Sequence, residues 1–111
     1  MPRYKMVVLS NPVEGREAEY NDWYQNTHLG QVVAFKGFKS AQRFRLVRNL
    51  MERQAWPYMA IYEIETDDLD AVMQEVQNQA GTERLKLSDA LATEFAFASI
   101  YEEMAPAVLK K

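Results

Sequence analysis

Apolar and polar positions repeat along this chain with two different periods. Residues 4–9 form a compact apolar run rich in valine, stopped by Ser10-Asn11-Pro12, which reads as a buried strand ending in a turn. From Arg16 the period lengthens. Tyr20, Trp23, Tyr24, Thr27 and His28 fall at i, i+3, i+4, i+7 and i+8, one face of a helix. Gly30 is placed to end or interrupt that helix, and residues 32–35 extend it irregularly. After a turn at Lys36-Gly37, residues 38–48 predict a charged, weakly alternating strand. Residues 49–57 are a polar connection. Tyr58–Glu65 predicts another strand, with Met59 and Ile61 on one face and Tyr58, Ala60, Tyr62 and Ile64 on the other.

A second helical period follows. Thr66 or Asp67 is placed to cap it, and the acids of its first turn suit the helix dipole. Leu69, Val72, Met73, Val76 and Ala80 form its apolar stripe, and Gly81 terminates it. Residues 82–93 read as a shorter helical segment, with Ser88 able to cap Asp89-Ala90-Leu91. Residues 95–104 predict the last strand, before a polar tail ending in two lysines.

The order β-α-β-β-α-β is the split βαβ, ferredoxin-like arrangement: an α+β fold with a four-stranded antiparallel sheet and both helices on one face. In that topology the last strand is a sheet edge. Yet Phe95, Phe97, Ser99 and Tyr101 on one side, and Ala96, Ala98 and Ile100 on the other, leave both its faces apolar or small. A second copy packed sheet against sheet would cover them, so the pattern predicts a homodimer.

Composition narrows the function classes. At 111 residues the chain is expected to form one domain over residues 1–111, and 48% apolar with 26% charged residues is the balance of a globular protein. A net charge of −3 argues against a nucleic-acid partner. No apolar run approaches the ~20 residues that span a bilayer, and the N-terminus lacks a secretory apolar region, so neither membrane nor export is expected. With no cysteine, the simplest location is cytoplasmic. Charge is unevenly placed. Lys36, Lys39, Arg43, Arg45, Arg48 and Arg53 are followed by Glu63, Glu65, Asp67, Asp68, Asp70 and Glu75. This is either a basic anion site or, the simpler expectation, opposite charges paired across the hairpin of the two middle strands.

The candidate chemistry centres on His28, the only histidine. Near a helix C-terminus the backbone dipole favours the imidazolium, while burial among Tyr20, Trp23 and Tyr24 opposes it, so the group would be poised near neutrality as a general acid or base. The alternative is a histidine packed in the stripe. Tyr24, one turn away, can share its pocket. Tyr62 can donate to a substrate carbonyl from a strand face that could line the interior of a barrel. The aromatics are otherwise core. Gln42 and Arg43 lie on opposite faces of one strand, so one of them faces the barrel. Arg43 either binds a carboxylate or pairs with Glu63 or Glu65. Asp22 falls off the His28 face and reads as solvated. No phosphate loop, dinucleotide fingerprint or metal-ligand spacing is present, so neither metal nor cofactor is expected.

Glu19-Tyr20-Asn21-Asp22-Trp23-Tyr24, His28-Leu29, Gly37-Phe38 and Arg43-Phe44, with Arg84-Leu85-Lys86-Leu87-Ser88-Asp89-Ala90-Leu91 later, resemble the EthD-like branch of the dimeric α/β-barrel superfamily. Lys36 stands where a proline commonly precedes the glycine. The resemblance implies a homodimer whose two sheets form a barrel, each subunit keeping a pocket between sheet and helices. It also implies small-molecule chemistry without a cofactor: isomerisation, cyclisation or dehydration of an aromatic, polyketide or lactone-like substrate. Of the site residues the resemblance carries over His28 alone; the residues themselves add Tyr24 and Tyr62 as catalytic partners, with Arg43, Trp23 and Gln42 binding substrate. A non-catalytic ligand-binding or stress-response barrel is the alternative.

Overall fold

The computed structural model describes residues 1–51, 53 and 55–111; Glu52 and Gln54, which the sequence places in the polar connection, lie outside the described residues. Four strands, β1 (Arg3–Ser10), β2 (Phe38–Arg45), β3 (Tyr58–Glu65) and β4 (Phe97–Glu102), form one sheet in the order β2-β3-β1-β4. Every neighbouring pair is antiparallel. This is the ferredoxin-like α+β arrangement expected from the hydrophobic pattern, with β4 and β2 at the edges.

The first helical region is one rod in three parts: α1 (Glu17–Trp23), a π-helical turn (Tyr24–His28) and α2 (Leu29–Val33). In the π turn the Leu29 N–H reaches back to the Tyr24 carbonyl, five residues away. The wide turn takes in one extra residue, which rotates everything after it by about 100° relative to a regular helix. The buried row therefore runs Tyr20, Tyr24, Leu29, Val32. Leu29 takes the core position that unbroken spacing gives to His28, and His28 moves to the flank. Gly30 does not end the helix: the rod continues to Val33, and the chain turns at Gly37, whose φ is +97°.

The second helix, α3 (Leu69–Gln79), is capped one or two residues later than the sequence suggests. Asp68 Oδ1 accepts from the Ala71 N–H, while Thr66 Oγ1 accepts from the Asp68 N–H. Leu69, Val72, Met73 and Val76 pack on the core; Ala80 is exposed. Residues 82–91 are not helical. They make turns pinned by Leu85 and Ala90, both buried, and Ser88 Oγ accepts the Ala90 N–H in a local turn instead of capping a helix. Residues 46–57 connect β2 to β3, and Trp56 anchors this arm by donating its indole N–H to the Phe95 carbonyl.

The helices cover one face of the sheet. Tyr4, Met6 and Val8, with Tyr58, Ala60, Tyr62 and Ile64, lie on the core side. Strand alternation and register place Phe44, Met59, Leu9 and Phe97 in one row on the opposite face, with Gln42, Ile61, Val7 and Ser99 in the next. This uncovered face carries a groove of about 610 Å³ lined by Leu9, Phe44, Leu46, Val47, Leu50, Trp56 and Met59, among others.

Among the described residues, the expected charge pairing across the β2–β3 hairpin does not form. Register sets Arg43 opposite Ala60, Arg45 opposite Tyr58 and Ser40 opposite Glu63. The acids of β3 turn instead to β1: Lys5 pairs with Glu63 at 2.8 Å and Arg3 with Glu65 at 3.8 Å.

Candidate functional site

A cluster of aromatic and polar side chains lies between the rod and the sheet. Tyr20 is buried and its hydroxyl lies 2.6 Å from Ser10 Oγ, which ties α1 to the end of β1. One helical turn on, Tyr24 meets Tyr62, with 3.4 Å between the hydroxyls. Tyr62 belongs to the helix-side face of β3, so it does not face the interior of a barrel made from two sheets; strand alternation gives that face to Met59 and Ile61. Burial raises the pKa of both phenols, that of Tyr24 to about 12, so both stay protonated at neutral pH. In the pair one hydroxyl donates and the other accepts.

Arg43 reaches into the same cluster from β2. Its guanidinium carbon lies 4.7 Å from the centre of the Tyr24 ring, 5.3 Å from Tyr58 and 5.5 Å from Tyr20. Its Nη2 donates to Asn21 Oδ1 at 2.7 Å. Asn21 in turn donates to the Tyr58 hydroxyl at 3.2 Å, and that hydroxyl donates to Glu17. Neither Glu63 nor Glu65 pairs with Arg43, and no carboxylate contacts it among the described residues. Guanidinium stacks well on aromatic faces, but π-faces neutralise a cation far less than a carboxylate does. Beside this charge lies a groove of about 260 Å³ lined by Asn21, Arg43, Phe44, Arg45 and Tyr58.

His28 touches the cluster from the π turn. Its ring stacks on the Trp23 indole at 4.5 Å and meets the Tyr24 ring edge-on at 5.1 Å. The imidazole is half-buried, and its Nδ1 is fully buried with no hydrogen-bond partner among the described residues. Burial lowers its pKa to about 4. The expectation of a group poised near neutrality is therefore corrected. The rod continues past His28, so no helix C-terminus supports the imidazolium, and desolvation prevails. At neutral pH the ring is an uncharged acceptor.

Trp23 does more than pack: its Nε1 donates to the Lys86 carbonyl at 3.1 Å. Gln42, expected to share substrate binding, points to the uncovered face of the sheet and is exposed, away from Tyr24 and His28. Asp22 is exposed and accepts from Asn26 at 2.7 Å, as its position off the His28 face predicts. Among the described residues no group of three or more acidic or histidine side chains is arranged to hold a metal ion. Sequence reasoning did not single out Asn21 or Gln31. Asn21 lies four residues after Glu17, a spacing that puts both on one flank of α1, but its contacts with β2 and β3 depend on tertiary packing.

The fold and cluster define a ferredoxin-like α+β protein with a tyrosine, arginine and histidine cluster between helix and sheet. The chain belongs to the family described as a domain of unknown function, DUF4286, which matches residues 9–97. Its fold is that of an EthD-family protein from Bacillus halodurans C-125, at TM-score 0.54 and 19% identity over 94% of this chain and 100% of that one. A candidate monooxygenase from Shewanella loihica PV-4 also shares it, at TM-score 0.60 and 13% identity over 96% and 99% of the two chains. These two likenesses show the ferredoxin-like α+β fold. A stretch of 49 residues is 39% identical to Core atranone cluster (CAC) protein 1 of Stachybotrys chlorohalonatus (strain IBT 40285), spanning 44% of this chain and only 20% of that protein. No helix among the described residues is long and apolar enough to cross a membrane.

Proposed function

We propose that this protein is a small-molecule enzyme of the EthD-like type that moves protons on an aromatic, polyketide or lactone-like substrate without a cofactor. The observation that carries this reading is the place of Tyr24: it meets His28 through its ring edge, Arg43 through its ring face and Tyr62 through its hydroxyl. Neutral His28 accepts a proton from a carbon next to a substrate carbonyl. The enolate oxygen that forms is held by a phenol hydroxyl of Tyr62 or Tyr24 and by the positive field of Arg43. Returning the proton to another carbon gives isomerisation, giving it to a departing hydroxyl gives dehydration, and attack of the enolate carbon on a second carbonyl gives cyclisation. Trp23 supplies an apolar wall, and Arg43 orients a substrate carboxylate or carbonyl. The reading includes a homodimer through the uncovered sheet face and a cytoplasmic setting.

The test is NMR of His28, the only imidazole in the chain, with a panel of aromatic acids, phenols and lactones, followed by turnover of any ligand found. A His28 resonance that shifts with one ligand class, and turnover that falls at least a hundredfold in His28→Ala, is expected. A ligand turned over equally well by His28→Ala overturns the reading.

A second reading is favoured by the stacking of His28 on Trp23 and its low pKa, both typical of a packed side chain. Here the protein is a non-catalytic ligand-binding or stress-response barrel. His28→Gln would then reduce stability and leave ligand affinity intact.

A further inference from the structure

The segment after α3 lies against the rod at two positions that flank His28. Gln31, one turn beyond His28, uses both ends of its side-chain amide. Its Oε1 accepts from the Lys86 N–H at 2.7 Å, and its Nε2 donates to the Glu83 carbonyl at 3.0 Å. The other end of the Lys86 residue is also held, since its carbonyl accepts from the Trp23 indole at 3.1 Å. Trp23 in turn stacks on His28. A continuous path of contacts thus runs from Gln31 through the backbone of Lys86 and the Trp23 indole to His28.

We propose that Gln31 is a positioning residue for the His28 site: by clasping Lys86 it holds the Trp23 indole over the imidazole, and release of this clasp is the route by which a ligand reaches Nδ1. The inference rests on the reading of His28 as the site. Three features support it. Nδ1 is buried and unpartnered, so a ligand donor must be admitted before it can be used. The strap between Leu85 and Ala90 has no helix or strand to stiffen it: Leu85 and Ala90 are buried anchors, while Lys86, Leu87 and Asp89 between them are exposed. A groove of about 290 Å³, lined by Gly30, Gln31, Ala34, Phe35 and Arg84, already opens beside the clasp. Gln31 is half-buried, and its amide donates to Glu83 and accepts from Lys86, on either side of the Leu85 anchor.

The lone histidine makes the test specific. Diethyl pyrocarbonate acylates neutral imidazole at either ring nitrogen, so the rate followed is that of acylation at Nδ1, identified by ¹⁵N NMR of the product; His28 is neutral throughout the neutral pH range, so this rate reports access and not protonation. Gln31→Ala is expected to raise that rate about tenfold, because it removes two neutral hydrogen bonds whose joint loss shifts an opening equilibrium by about that factor. It should also move the His28 pKa, read by NMR, upward from about 4 toward the ordinary 6.5. Gln31→Glu keeps an acceptor for the Lys86 N–H and should stay within about threefold of the parent rate at matched pH. Trp23→Phe keeps a ring but loses the indole N–H and should resemble Gln31→Ala. Far-UV circular dichroism and thermal melting accompany each variant, and a Gln31→Ala protein that melts below the working temperature leaves the comparison to Gln31→Glu and Trp23→Phe. Parent-like acylation in Gln31→Ala and Trp23→Phe overturns the proposal, as does acceleration in Gln31→Glu equal to that of Trp23→Phe. These readouts need no substrate. If His28→Ala later proves fully active, the functional reading fails while the access result stands.

Discussion

The Arg43 guanidinium lies 4.7 Å above the ring of Tyr24, and that same ring meets His28 edge-on at 5.1 Å. A guanidinium from β2 and an imidazole from the π turn thus meet on one buried phenol. Arg43 has three aromatic faces and one amide oxygen around it, but no carboxylate among the described residues. Arg43→Gln should lower stability by about 1–2 kcal/mol in urea titration, the scale of partly desolvated cation–π contacts. It should weaken binding of a carboxylate-bearing ligand more than that of its methyl ester. Arg43→Lys should not restore binding, because an ammonium lacks the planar fork. Equal loss for acid and ester would remove Arg43 from the anion role.

His28 makes stability depend on pH in a defined direction. Its folded-state pKa, about 4, is below the ordinary 6.5, so the unfolded chain binds the extra proton more readily. The contribution is fully present above about pH 6.5 and is lost as pH falls toward 4. The total for this half-buried group is at most about 3 kcal/mol at 1.36 kcal/mol per unit. Denaturation midpoints between pH 7 and pH 4 should therefore fall more steeply for the parent than for His28→Gln. Parallel curves would mean that the imidazole is more hydrated than its surroundings indicate.

Tyr62→Phe removes a hydroxyl that makes one long hydrogen bond among the described residues, 3.4 Å to Tyr24. Stability should change by less than about 1 kcal/mol. Turnover of a substrate, once found, should fall by about 10²–10³-fold if this phenol holds an enolate oxygen. A variant with unchanged turnover would leave Tyr24 as the donor.

Gly37 has φ +97°, and a Cβ built there would come within 2.8 Å of Val72 Cγ2. Gly37→Ala therefore combines left-handed strain with a clash against α3, and a loss of about 2–3 kcal/mol in thermal or urea unfolding is expected. A loss below about 1 kcal/mol would show that Val72 gives way easily.

Met59 lies between Phe44 and Leu9 in the apolar row on the uncovered face of the sheet. If two copies pack through that face, Met59→Glu should convert a dimer to a monomer in sedimentation velocity while leaving the fold intact. A parent that sediments as a monomer at all accessible concentrations would remove the homodimer from the proposal.

Local pattern was enough to place the elements. Alternation in β3, the apolar run of β1 and the stripe of α3 each repeat a period over several residues, and the order of strands and helices then leaves few topologies. The same pattern separated Met59 and Ile61 from Tyr58, Ala60, Tyr62 and Ile64, because a strand has only two faces. It also put Tyr20 and Tyr24 in the core. Residues 82–91 misled, since their helical spacing is overridden by Leu85 and Ala90, which bury themselves separately and hold the chain in turns.

What only the tertiary structure decided concerns phase and register. One extra residue in the π turn gives Leu29 the core position and leaves His28 on the flank, half-buried, stacked on Trp23 and uncharged at neutral pH. The register of β2 on β3 places Arg43 opposite Ala60, and its side chain turns under the rod to Asn21 instead of pairing with Glu63 or Glu65. Neither outcome is written in local periodicity. Inserting a residue into a helix, or sliding a strand, leaves the local apolar count unchanged and is selected by packing between segments far apart in the chain. The residue types of the candidate site were therefore legible in the sequence, while their partners, charges and accessibility were set by the fold.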